Sequence, residues 1–150
     1  MQQCAKSQKN EIKKFYEKNN IKNYVFEFDE DVLNLMISSN LAITRCGATA
    51  TAELAQTKTP FIAVPLPNSV DNHQYWNAKY YESRFCCWIL EQKETFLPGR
   101  SFNEKNLYDL IVDIIQKKNR LETIRVQEFM KQISNKNVYQ NIENEIKRII

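Results

Sequence analysis

Apolar positions change period several times along the chain, and each change marks a different element. Ile12, Phe15 and Tyr16 recur at helical spacing in a charged background, which predicts a surface helix over 6–19. Tyr24, Phe26 and Phe28 then alternate with Val25 and Glu27 over 23–28, as the two faces of a half-buried strand do. Val32, Leu33, Leu35 and Met36 place a short helix over 31–39. Leu41-Ala42-Ile43-Thr44 is a compact apolar run that stops at Arg45-Cys46-Gly47, and a helix is expected over 48–57. The unit recurs in Phe61-Ile62-Ala63-Val64, closed by Pro65-Leu66-Pro67-Asn68 and followed by a helix expected over 72–83. Cys86-Cys87-Trp88-Ile89-Leu90 is a further strand. Beyond Pro98-Gly99-Arg100 the spacing turns helical over 103–118, 120–134 and 138–150.

Short apolar strands alternating with helices predict an α/β fold: a Rossmann-like parallel sheet with helices on both faces and a helical tail. The 150 residues amount to one domain, too short for two full lobes. With 43% hydrophobic, 26% charged and 11% aromatic residues, the chain has the makings of a packed core rather than of a disordered segment. A net charge of +3, with lysines interspersed among Glu and Asp, describes a solvated surface and gives no reason to expect nucleic acid as a partner. No apolar run approaches the roughly 18–20 residues that span a bilayer. Met1-Gln2-Gln3-Cys4-Ala5-Lys6 opens no signal-peptide core, so the chain reads as cytoplasmic. The four cysteines, Cys4, Cys46, Cys86 and Cys87, include no C-x-x-C pair, and His73 is the single histidine. Neither a metal site nor a disulfide framework is expected, and the thiols read as reduced and mostly buried.

In open α/β sheets ligands bind beyond the carboxyl ends of the strands, which directs attention to two segments. In the first, Gly47 can take a positive φ and let a ligand approach the backbone. Ala48, Thr49 and Ala50 offer free N–H groups at a helix start, a natural phosphate seat. Glu53 follows Thr49 by about one turn on the same face, where a carboxylate can accept hydrogen bonds from paired sugar hydroxyls. A plain tight turn followed by a solvated helix fits these residues too. The second segment opens a helix with Asp71, Asn72, His73, Gln74 and Asn77 after a proline-stiffened loop. Asp or Asn there would cap the helix, and amide side chains combine donor and acceptor in a way that suits sugar hydroxyls. His73 by itself also fits a satisfied surface position.

Three motifs in order, Arg45-Cys46-Gly47-Ala48-Thr49-Ala50-Thr51-Ala52-Glu53-Leu54, then P-F-I-A-V-P-L-P from Pro60, then D-N-H-Q-Y-W-N-A from Asp71, resemble the MurG family. These are glycosyltransferases of family 28 with the two-lobed GT-B fold. The resemblance covers nearly the whole chain, with Gln3-Cys4-Ala5-Lys6 resembling a strand-end segment and the terminal helices resembling the family's tail. It implies that residues 1–150 are a partial UDP-sugar-binding C-terminal domain. The activity it implies is inverting transfer of GlcNAc from UDP-GlcNAc to lipid I, giving lipid II for peptidoglycan, without a cofactor or metal.

The resemblance also implies roles for individual residues. Glu53 would bind the uridine ribose hydroxyls, Gln74 and Asn77 the GlcNAc hydroxyls, and His73 would line the same sugar. Gly47, Ala48 and Thr49 would face the diphosphate, with Arg45 heading the same donor-binding segment. Phe28 and Asp29 would belong to the loop whose backbone reads the uracil edge; the charged Asp29 stands where the family commonly has an aliphatic residue, so only a backbone role is carried over. Cys46 replaces a common serine. The family's glycine-rich diphosphate loop, its acceptor lobe with the catalytic groups, and its membrane-facing patch would lie upstream of residue 1. No catalytic residue is therefore expected within this segment, and the visible strands are not expected to form one continuous sheet. The complete enzyme would sit peripherally on the cytoplasmic face of the inner membrane. Two rivals are a non-catalytic donor-binding subunit that needs a separate acceptor chain, and a UDP-GlcNAc 2-epimerase fragment. The epimerases' run of consecutive acidic residues is missing from 48–53.

Overall fold

A computed structural model of the protein describes residues 1–92, 104–116, 126–128, 130–131 and 147–148. They fall into two compact units, Met1–Leu35 and Met36–Ile150. In the first, β1 (Gln2–Gln3) and β2 (Val25–Phe26) pair in parallel, Gln2 opposite Val25 and Gln3 opposite Phe26. Parallel neighbours require a crossover, which α1 (Lys9–Lys18) supplies. The Tyr16 hydroxyl donates to Gln2 Oε1 at 2.6 Å and ties α1 to β1, while Phe26 is buried and stacks on the Tyr24 ring. The strand expected over 23–28 is thus cut to two residues, because a ladder extends only as far as its partner β1.

The boundary between the units falls inside α2 (Val32–Ile37). In the second unit β3 (Ala42–Thr44), β4 (Phe61–Ala63) and β5 (Cys87–Ile89) form a parallel sheet in that order. Ala42 stands opposite Phe61, and Phe61 opposite Cys87. Crossovers are made by α3 (Ala48–Thr57) and by α4 (His73–Glu82), which a short 3₁₀ turn at Val70–Asn72 precedes. The central strand is fully buried because its two faces meet different helices. Phe61 and Ala63 pack with Leu54 of α3, Ala78 of α4, Val126 and Met130; Ile62 and Val64 pack with Ile114 of α5 (Glu104–Ile115). Alternation along one strand thus puts helices on both faces, as the sequence predicts. The helices expected over 120–134 and 138–150 lie almost wholly outside the described residues.

All three helices α1, α3 and α4 end with the same pair of bonds. The N–H groups of Asn20, Lys58 and Phe85 reach back three residues and those of Ile21, Thr59 and Cys86 reach back five, each helix closing through a left-handed residue. This motif favours glycine, but the chain has only two glycines, so Asn20, Lys58 and Phe85 take the positive φ instead. Among the described residues no helix is long and apolar enough to cross a membrane.

Candidate functional site

The carboxyl ends of β3, β4 and β5 converge on the starts of α3 and α4. Val64 N–H donates to the Thr44 carbonyl and Leu90 N–H to the Ala63 carbonyl, each at 2.8 Å, so the three strand ends are held in one frame. The turn from β3 into α3 differs from its expected form. Gly47 has φ −62° and ψ 146°, ordinary extended backbone for a helix N-cap, and the positive φ of 61° falls on Cys46. The reversal occurs one residue earlier because Gly47 must already be extended for its carbonyl to accept the first helical bond, from Thr51 N–H at 3.0 Å. A Cβ on Gly47 would have nothing within 4 Å, so the space above it is open.

Beyond Gly47, Ala48 and Thr49 are exposed and Ala50 is half-buried, and their N–H groups point out of the helix start without intrahelical acceptors. Thr51 is buried, its hydroxyl donating back to the Gly47 and Ala48 carbonyls at 3.0 and 3.1 Å. Glu53 is half-buried, and among the described residues its carboxylate makes no ion pair or hydrogen bond. Burial raises the Cys46 thiol to about 11, so it is neutral near pH 7 and adds no negative charge beside the helix start.

The start of α4 is bound to this frame by two amides. Asn77 Nδ2 donates to the Cys46 carbonyl at 3.1 Å, holding the left-handed turn against α4. Gln74 Oε1 accepts the Leu66 N–H at 3.0 Å and fixes the proline loop. Among the described residues Gln74 is left with its amide donors and Asn77 with its carbonyl acceptor, a complementary pair for hydroxyl groups. His73 is exposed, its Nδ1 lying 2.7 Å from the Val70 carbonyl, which leaves Nε2 as an acceptor in the neutral ring. The capping expectation is corrected: Asn72 occupies the N-cap of α4 in the left-handed region, with φ 52°, and makes no side-chain capping bond. Asp71, with φ 50°, shares that strained turn.

Arg45, exposed at the end of β3, donates from Nη1 to Gln92 Oε1 just beyond β5. Gln92 and Glu91 border a cleft of about 270 Å³ with Pro65, Leu66, Pro67, Asn72 and Tyr75. Glu91 and Gln92 also follow a strand end, but no local motif sets them apart in the sequence. Phe28 and Asp29 belong to the first unit. Phe28 is 76% exposed. Asp29 Oδ2 accepts the Tyr24 hydroxyl at 2.7 Å and Oδ1 the Asp31 N–H at 2.9 Å, so the side chain is spent on its own loop.

The family described as Glycosyltransferase family 28 C-terminal domain matches residues 1–141. A protein of Pelagibacter ubique (strain HTCC1062), named UDP-N-acetylglucosamine--N-acetylmuramyl-(pentapeptide) pyrophosphoryl-undecaprenol N-acetylglucosamine transferase, is 39% identical over 139 residues, 93% of this chain and 36% of its own. A protein of the same name from Wolbachia pipientis subsp. Culex pipiens (strain wPip) is 36% identical over 80% of this chain and 33% of its own. The crystal structure of Acinetobacter baumannii MurG superposes with a TM-score of 0.80 at 24% identity, covering 97% of this chain and 42% of that one. The chain thus spans about a third of the length of the curated relatives it matches.

Proposed function

The chain belongs to the glycosyltransferase family 28 C-terminal domain family, and from that premise we propose that it is the donor-binding part of a MurG-like transferase. In this reading UDP-GlcNAc lies across the carboxyl ends of β3 and β4. The first turn of α3 meets the diphosphate with free N–H groups and the positive end of the helix dipole, and the open space above Gly47 admits the phosphate oxygens. Glu53, one turn along α3, accepts hydrogen bonds from both ribose hydroxyls. The remaining amide donors of Gln74 and the carbonyl of Asn77 read the GlcNAc hydroxyls, with His73 at the edge of the same sugar.

The reaction is transfer of GlcNAc to a lipid-linked muramyl-pentapeptide, with inversion at the anomeric carbon. Displacement needs an acceptor hydroxyl and a base within about 3 Å of the donor. In this reading the acceptor site, the base and the contact with the cytoplasmic membrane face belong to the acceptor lobe of the complete transferase. The observation that supports this reading most is the first turn of α3, open above Gly47 at the end of a parallel strand, with a Glu53 carboxylate one turn along that has no partner among the described residues. Calorimetric titration of the full natural chain with UDP-GlcNAc and with UDP-GalNAc tests it. Saturable binding that prefers UDP-GlcNAc is expected, and absence of binding to any uridine diphosphate sugar would overturn it.

A further inference from the structure

The guanidinium of Arg45 and the amide of Gln92 meet across the end of the central strand β4, 47 residues apart in sequence. Arg45 is fixed at both ends. Its backbone leads into the left-handed turn at Cys46, which Asn77 of α4 holds by the carbonyl, and its head group is held by Gln92 from beyond β5. An exposed arginine otherwise samples many rotamers, and holding it in one removes an entropy cost that a ligand would have to meet. The chemistry of the holder matters. Gln92 is neutral, so it occupies one of the five guanidinium donors and leaves the positive charge intact, whereas a carboxylate would cancel it. The neighbouring acid, Glu91, borders the same cleft, yet the bond goes to the amide.

We propose that Gln92 is a positioning residue that holds the Arg45 guanidinium at the carboxyl ends of the strands, where its remaining donors meet the diphosphate of the nucleotide-sugar. The proposal rests on the donor-site reading above and adds to it a residue outside its three motifs. Gln92 touches no ligand in this account; it acts through Arg45.

The test compares the affinity of the full natural chain for UDP and for uridine, which lacks phosphate. Gln92→Met keeps the side-chain length and removes the acceptor. It should weaken UDP binding by about fivefold to tenfold and change uridine binding by less than about twofold. In an Arg45→Ala background the same substitution should have no further effect on UDP, because nothing is left to position. Equal losses for UDP and uridine would overturn the proposal in favour of a role in the fold or the cleft, as would additive losses in the double variant. Unchanged UDP binding by Gln92→Met, with the wild type binding UDP normally, would overturn this inference alone. A wild-type chain that binds neither compound would overturn the donor-site reading and this inference with it.

Discussion

Glu53 and Asp29 are the two carboxylate residues that the sequence singles out in its family resemblance, and their partners separate them. Among the described residues the Glu53 carboxylate has no partner, and in the donor-site reading Glu53→Ala in the full natural chain should remove charge-assisted bonds to the ribose. The expected loss is about 2–4 kcal/mol of transition-state binding, or roughly 30- to 1000-fold in kcat/KM. A 2′-deoxyribose donor should be a poor substrate for the wild type and nearly equal to the normal donor for the variant; an unchanged kcat/KM and ribose preference would leave Glu53 a plain helix residue. Asp29 is committed within the protein. The Tyr24 hydroxyl, and after it the Asp31 N–H, hold its carboxyl below the ordinary 3.8, while the same bond raises the Tyr24 phenol above 10.0. The lowered carboxyl stabilises the fold above pH 3.8, and that contribution is lost as pH falls through the lower folded value; the raised phenol stabilises below pH 10.0 and fails as pH rises through the higher one. Tyr24→Phe should therefore move the Asp29 titration, followed by NMR of the side-chain carboxyl, upward toward 3.8. An unmoved titration would mean that the Tyr24 bond does not form in solution.

Helix ends are where this chain departs from the usual vocabulary. Glycine scarcity makes Lys58 adopt φ 58° at the close of α3, with its N–H bonded to the Ala55 carbonyl and that of Thr59 bonded to the Leu54 carbonyl. An L-residue there costs about 1–2 kcal/mol. Lys58→Gly should relieve part of it and raise stability by about 1 kcal/mol in urea unfolding. A loss of stability would show that the Lys58 side chain contributes more than its backbone costs. The element α3 thus has two distinct ends: an N-terminus kept open above Gly47 and a C-terminus closed on Leu54, a residue only 2% exposed in the core.

At the scale of the molecule, the described strands make two sheets, β1–β2 and β3–β4–β5, in two units. The far edge of β3 has no partner among the described residues, and Ile43 on that strand is 53% exposed, apolar surface that a neighbouring layer would cover. Together with a length about a third of the relatives', this leads us to expect that the 150-residue chain alone transfers no sugar. Incubating it with labelled UDP-GlcNAc and a polyprenyl-pyrophosphoryl muramyl-pentapeptide should give no labelled lipid product, and turnover would contradict the division of labour proposed here.

The sequence by itself determined the alternation of strand and helix, the parallel order, and the two loops that hold the candidate site. Those features follow from local periodicity, and the apolar runs at Leu41 and Phe61 state them without reference to distant residues. The core positions of β4 were legible for the same reason. Strand lengths were not, since the ladder at Val25–Phe26 ends where its partner ends. Nor was the left-handed turn at Cys46, which looked like a property of the adjacent glycine until the helix carbonyl bond placed it one residue earlier. Only the tertiary structure decided that Asn77 holds the Cys46 carbonyl, that Gln74 holds the Leu66 N–H, and that Arg45 reaches Gln92. Each of these bonds ties a loop beyond a strand end to another segment, and a side chain's partner depends on where the sheet brings the strand ends together rather than on its immediate neighbours in sequence.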